Sequence, residues 1–285
     1  MGDCVLSTPA LDILKRSRPD LRLAVMVEDR FRAVFEGNAD VDEILPVTLG
    51  ALRHWRPMLC LNLHGGGRSA WMTAMSGARY RAGFGHFRFR AVYNVRIPRA
   101  QEILGVERKV HTAEHLASAV FYLGAAVCEV PRAKVVVGSA GTSAGTAGMS
   151  ACATKVVIHP FATTAGKTWG AGGFVEVAQY LRQSGLEPVF IGGGGDDFSP
   201  FRAFRVVSGA PLSEIKRLIA GASMFVGNDS GPAHLAAALG VPSVVIFGAS
   251  DAAIWGPWRT VSEVVVAPSG ASQVIEALAR LRVAA

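Results

Sequence analysis

The chain has 285 residues with a formal net charge of +7; half its residues are apolar and 18% are charged, enough for one large or two medium α/β domains with sizeable cores. No apolar stretch reaches the ~20 residues that a membrane span needs, and no charged-then-apolar leader opens the chain. Cys4, Cys60, Cys128 and Cys152 lack metal-ligand spacing and read as buried, reduced thiols, so a cytoplasmic protein is expected.

Residues 2–16 predict a turn and then a helix with Leu6, Ala10, Leu11 and Leu14 on its buried side. A strand over Leu21–Val27, a short helix from Phe31 to Phe35, a turn over Asn38–Asp42 and a strand over Glu43–Val47 follow. Asp40-Val41-Asp42 has the form of a D-x-D metal motif, but it sits in a polar turn before an edge-like strand and reads as turn chemistry. Met58–Leu63 is an apolar strand that runs into His64-Gly65-Gly66-Gly67-Arg68-Ser69 and a helix over Ala70–Ser76. A glycine turn between strand and helix suits close approach to an anion. Ala78–Gly85 predicts the next strand, residues 85–94 a basic, aromatic loop, and His111–Gly124 an amphipathic helix with Leu116, Val120 and Leu123 in its buried row. His111 and His115 have i, i+4 spacing but no third ligand, and read as helix-surface residues.

Residues 138–153, GSAGTSAGTAGMSACA, are of low complexity and read as a linker between lobes spanning 1–137 and 154–285. Beyond it come a buried strand, Lys155–His159; a polar loop, 160–168; a helix, Trp169–Ser184; and a strand, Pro188–Ile191, ending in Gly192-Gly193-Gly194-Gly195-Asp196-Asp197. Val206–Ser208 is a short strand, and Ser213 caps a helix that runs to Ala220. Ser223–Val226 is a strand, residues 227–231 a turn, and Pro232 opens a helix that Gly240 and Pro242 end before the apolar strand Val244–Phe247. Gln273–Arg282 forms a terminal helix. Strands alternate with helices in both halves, so each half is expected to be a parallel sheet covered on both faces. Two such lobes facing a cleft make the GT-B architecture.

The strand–turn–helix–strand unit over residues 223–250 places a helix N-terminus, with its unpaired N–H groups, at the carboxyl edge of a sheet. A phosphate or pyrophosphate is the natural ligand there; otherwise Asp229 or Ser230 merely caps the helix. A second signal is the charge distribution. From Ile44 to Gln101 there is no Asp or Glu, against nine arginines and three histidines, which favours an anionic partner (phosphorylated lipid, membrane surface or nucleic acid), the alternative being a solvated basic face that aids solubility. No zinc-finger, RRM or KH pattern supports nucleic acid.

Asp229-Ser230-Gly231-Pro232-Ala233-His234, the Ala-rich helix, Gly240-Val241-Pro242 and Phe247-Gly248 together resemble the donor-site signature of glycosyltransferase family 9, the heptosyltransferases of lipopolysaccharide core assembly. His159 through Trp169 resembles that family's phosphate loop, with Gly170 where a proline often follows the tryptophan, and Gly2-Asp3 with Thr8-Pro9-Ala10-Leu11 resembles its N-terminal G-D motif. The resemblance implies a GT-B fold and an inverting, metal-independent, cofactor-free transfer of heptose from ADP-heptose to an inner-core acceptor. Asp3 would be the general base, its other reading being a helix cap; Thr163 and Thr164 would hold the diphosphate, Lys167 would act in catalysis by neutralising charge as the diphosphate departs, and Asp229, Ser230, Gly231 and His234 would complete the donor site. His234 packed within its helix is the other reading. Asp196 is a candidate for ribose or base, and Arg68, Arg79 and Arg81 for an anionic glycolipid acceptor, with peripheral association at the inner face of the cytoplasmic membrane. Family members open with an apolar strand leading into the G-D motif, so this chain is expected to lack that first strand, roughly ten residues. A different two-lobed nucleotide-sugar enzyme, epimerase-like, and a non-catalytic nucleotide-sugar-binding remnant are the alternatives.

Overall fold

The computed structural model describes residues 1–138 and 154–284, so the expected linker lies outside the described residues except for Gly138. The chain divides into two compact units, one of Asp3–Lys134 and one from Val135 onward that also counts Met1 and Gly2.

The N-terminal unit opens on α1 (Gly2–Ser17), with no turn before it. Its buried stripe is Val5, Leu6, Pro9, Ala10 and Ile13, the 3.6-residue spacing of one helix face; Leu11 and Leu14, expected on that side, are only half-buried. Pro9 removes the N–H that would bond the Val5 carbonyl. The fully buried Thr8 Oγ1 donates to that carbonyl instead, at 2.8 Å, and accepts from Lys134 N at 2.8 Å. Two parallel ladders follow rather than one sheet. The first pairs β1 (Ala24–Met26) with β2 (Glu43–Leu45). β1 starts later than its apolar run, where Asp42 Oδ2 accepts from Leu23 N at 2.7 Å and from Lys15 Nζ at 2.8 Å, and β2 stops before Pro46, which has no N–H for a ladder. Asp40 pairs with Lys134 at 3.0 Å, so both aspartates reach distant segments, and the side chain that closes the turn is Asn38, whose Oδ1 accepts from Asp40 N at 2.9 Å.

After α2 (Leu49–Trp55), capped by Thr48, the second ladder is β3 (Leu59–Asn62), β4 (Tyr80–Phe84) and β5 (Val95–Ile97) in that order, with α3 (Gly67–Ala74) crossing between β3 and β4. α4 (Ala100–Leu104) and α5 (Thr112–Tyr122) complete the unit. The two histidines on α5 are not surface residues. His111 is its N-cap, buried, with Nδ1 accepting from Ala113 N at 3.1 Å. His115 stacks on Phe84 at 4.0 Å, where burial and the neighbouring His86 lower its pKa to about 4.

The C-terminal unit is a six-stranded parallel sheet. Its elements are β6 (Lys155–His159), α6 (Ala171–Gln183), β7 (Glu187–Gly192), β8 (Arg205–Ser208), α7 (Leu212–Ala220), β9 (Met224–Asn228), α8 (Gly231–Leu239), β10 (Ser243–Phe247), α9 (Ala252–Trp255), β11 (Ser262–Val266) and α10 (Ala271–Ala284). The spatial order is β11-β10-β9-β6-β7-β8. β6, β9 and β10 are buried along nearly their whole length, with apolar centres, because both faces are covered. Val156, Ile158, Phe190, Val226, Val244 and Ile246 join Phe174, Val177 and Leu181 of α6 and Val274 and Leu278 of α10 in one core. Alternation sends Val157, Phe225 and Val245 to the other face, where α7 and α8 lie. α7 starts before Ser213: Pro211 is its N-cap, and the Pro211 carbonyl accepts from Glu214 N and Ile215 N at 2.9 and 3.1 Å. The segment read as a turn at 227–231 is shorter than expected, because Gly227 and Asn228 are still strand and α8 begins at Gly231.

Candidate functional site

At the carboxyl edge of the six-stranded sheet, the loops leaving β6, β7, β9 and β10 meet. β6 and β9 are neighbours, with His159 beside Gly227, so the polar loop 160–169 and the dipeptide Asp229-Ser230 emerge side by side. Asn228, fully buried at the end of β9, ties them together: its Nδ2 donates to Pro160 O at 2.7 Å and its Oδ1 accepts from Trp169 N at 3.0 Å. One amide thus fixes both ends of the loop. The loop's middle is a 3₁₀ turn, Ala165–Lys167, closed by Lys167 N donating to Thr164 O at 3.0 Å. Gly166 O accepts from Ala249 N at 2.9 Å beyond β10, and a side chain at Gly248 would collide with that same carbonyl. Asn228→Ala leaves the buried Pro160 carbonyl and the partly buried Trp169 N–H unpaired. It is expected to destabilise this unit by about 1–3 kcal/mol, read as a lowered urea midpoint; an unchanged midpoint contradicts the clamp.

This frame brings Lys167 Nζ to 2.7 Å from Asp229 Oδ2. The carboxylate side chain is 4% exposed and the lysine 30%, so the pair is one-sided: Asp229 anchors the ammonium from below. An ammonium has three donors, and only one bond from Lys167 Nζ is made among the described residues. Thr163 and Thr164 are exposed in the same loop. Ser230 Oγ lies 3.1 Å from His159 Nδ1, and burial lowers the His159 pKa to about 4, so this imidazole is neutral at pH 7. Gly231 opens α8, and Ala233 N turns inward onto Ser230 O at 3.1 Å. His234 is buried in α8, its Nε2 3.9 Å from Asp229 Oδ1, close enough for electrostatic contact and too long for a hydrogen bond.

Lys167, Thr163, Thr164, Asp229, Ser230, Gly231 and His234 therefore share one edge of one unit. Asp196 is on the adjoining loop, where its Oδ2 accepts from Gly193 N at 2.7 Å and closes the glycine turn. Asp3 belongs to the other unit, exposed in the first turn of α1. In that unit Arg68 is 3.4 Å from Glu28, an acid outside the acid-free window. Arg79 lies over the Tyr80 ring, and Arg81 donates to Val92 O and Ala78 O at 3.0 and 3.3 Å. The glycine turn after β3 is shaped by packing: Asn62 Oδ1 accepts from His64 N and Gly65 N at 3.0 Å each, and the Phe87 ring occupies the space where Gly65 (φ +72°) would carry a Cβ. Asn228 is the residue that sequence reasoning missed.

The parallel-sheet units have the fold class of GT-B glycosyltransferases. The fold matches a glycosyl transferase family 9 structure from Veillonella parvula with TM-score 0.83 at 19% identity, over 100% of this chain and 94% of that one. It matches E. coli ADP-heptose lps heptosyltransferase II with TM-score 0.79 at 19% identity, over 98% and 95% of the two chains. In sequence, the chain is 34% identical over 114 residues to lipopolysaccharide heptosyltransferase 3 of Escherichia coli, a match covering 36% of this chain and only 34% of that relative. The family model of glycosyltransferase family 9 (heptosyltransferase) matches residues 51–282, and the chain belongs to that family.

Proposed function

We propose that the chain transfers heptose from ADP-heptose to an anionic inner-core acceptor of lipopolysaccharide, with inversion and without a metal ion or cofactor. The observation that carries the reading is the Lys167–Asp229 pair at the sheet edge. An ammonium held by a buried carboxylate, with donors still to give, is matched to a leaving group that gains negative charge. Thr163 and Thr164 hydroxyls and the N–H of Gly231 add donors to the diphosphate, and Asp196 borders the nucleoside. In the reaction the acceptor oxygen forms a bond to the anomeric carbon as the bond to the diphosphate oxygen breaks. Asp3 takes the hydroxyl proton and ADP departs. The acceptor phosphates or carboxylates fall to the arginines of the acid-free window, Arg68, Arg79 and Arg81 among them. Family membership and the named specificity of the relatives support donor and acceptor class alike.

The test is ADP release from ADP-heptose with and without a core acceptor, in the presence of a chelator. Acceptor-dependent, chelator-resistant release is the expected result. Sugar conversion without acceptor supports an epimerase-like enzyme instead, and nucleotide binding without turnover supports a binding protein.

A further inference from the structure

His159 ends β6 at the carboxyl edge of the sheet and is buried there. Gly227 lies beside it on β9, and a Cβ on that glycine would come within 2.8 Å of His159 O. The two strands are therefore close at this point, and Ser230, further along the same segment, reaches the imidazole: its Oγ lies 3.1 Å from His159 Nδ1. That contact is unexpected for the place Ser230 holds in the chain. It is the N-cap of α8, where a serine hydroxyl ordinarily accepts from an N–H of the first turn. Here the hydroxyl caps nothing. Pro232 has no N–H to offer it, and Ala233 N donates to Ser230 O instead, at 3.1 Å. The Phe161 ring meets the imidazole edge-on at 6.0 Å, and His159 Nε2 makes no hydrogen bond among the described residues.

We propose that His159 is a positioning residue of the donor site: held as its Nδ1–H tautomer, it donates to Ser230 Oγ and leaves the serine proton to point at the diphosphate of a nucleotide sugar. Burial keeps the ring neutral at pH 7, so it carries one N–H only. With the proton on Nδ1, that N–H has the Ser230 oxygen as its acceptor, and Nε2 is left as a bare lone pair. With the proton on Nε2, the ring's one N–H is the one without a partner, and Ser230 uses its hydrogen on Nδ1. The serine would then show an anion nothing but lone pairs. A serine beside a histidine is also the pairing of acyl-transfer nucleophiles, but there a carboxylate holds the far nitrogen of the ring. Among the described residues no carboxylate holds His159 Nε2. This role rests on the donor-side reading of the same edge, and adds which hydrogen Ser230 offers and which residue aims it.

Nitrogen NMR of the ligand-free full chain, isotope-labelled at histidine, reads the tautomer directly, with the His159 signals assigned by their loss in His159→Asn. A pyrrole-type Nδ1 and a pyridine-type Nε2 are expected; the reverse overturns the proposal. Calorimetry with ADP reads the consequence. His159→Leu and Ser230→Ala should each weaken ADP binding by about tenfold, the size of one hydrogen bond to a charged group, and the two together no more than either alone. His159→Asn should keep most of the parent's affinity, because its amide N–H can stand where Nδ1–H stood, although an amide cannot serve as a base. If His159→Leu weakens binding as much in Ser230→Ala as in the parent, or if His159→Asn binds as weakly as His159→Leu, the imidazole is a packing residue and the proposal falls. Should His159→Leu lower the unfolding midpoint, the spectrum and His159→Asn decide. A parent that binds no ADP defeats the donor-side reading and this role with it, and the ligand-free spectrum tells that result from a wrong tautomer.

Discussion

Lys167→Ala is expected to slow transfer by about 30- to 1,000-fold, the ~2–4 kcal/mol that one preorganised donor supplies to a developing anion. Nucleotide diphosphate binding should weaken with it, because in the proposed site the ammonium would face the diphosphate in ground state and transition state alike. The variant also leaves Asp229, 4% exposed, without its 2.7 Å partner, so part of any loss is structural. Lys167→Met with Asp229→Asn separates the two effects: it removes the unpaired buried charge, recovers the unfolding midpoint and does not recover transfer. Steady-state rates and ADP calorimetry on the three proteins make the measurement. A Lys167→Ala enzyme that binds ADP and turns over like its parent removes Lys167 from the mechanism.

Acidification should destabilise the protein well above the pH at which its carboxylates protonate. His159 and His115 each have a pKa lowered to about 4, by burial in both and by His86 in the second, against about 6.5 in the unfolded chain. The sign follows from linkage. Below pH 6.5 the unfolded state takes up a proton that the folded state refuses until about pH 4, so stability is full above the unfolded value and falls as pH drops between the two. At pH 5 each histidine costs about 2 kcal/mol. The two lie in different units, so both units should melt earlier at pH 5 than at pH 7.5. His159→Asn should flatten the pH dependence of the C-terminal unit alone, and an unfolding profile that is level between those pH values counts against the buried neutral imidazoles.

Much of the C-terminal unit was legible because its strands are buried on both faces. Lys155–His159 reads as a strand end to end and is one, and Val244–Phe247 differs from β10 by a single residue. The meeting of Lys167 with Asp229 also followed from topology, since both residues leave parallel strands and precede helices. Elements with weaker local signals were passed over. β5 is three residues, Val-Arg-Ile, just past a basic loop, and β11 is a half-exposed edge strand. Asn228 was read as a turn residue because Gly-Asn-Asp-Ser-Gly is turn-prone composition. Its amide is instead consumed by Pro160 and Trp169, partners 68 and 59 residues away that no local pattern encodes. The histidines of α5 were misjudged for a similar reason: a capping imidazole and a ring stacked on Phe84 depend on what packs against the helix, which the spacing of His111 and His115 does not show.

The order of the six-stranded sheet bears on how this unit assembles. β6, β7 and β8 form one three-stranded leaf, β9, β10 and β11 another, and the single seam between them is the β6–β9 ladder. Closing that seam joins segments separated by 62 residues at the Lys167–Asp229 pair, a long-range contact whose entropy must be met before it returns any stability. The candidate site sits at the end of the seam and does not exist in a chain that has made only one leaf. A growing polypeptide therefore lacks the proposed diphosphate edge until β9 has been laid against β6. From then on, a ligand held by both loops works as a rivet across the seam and slows the leaves from parting.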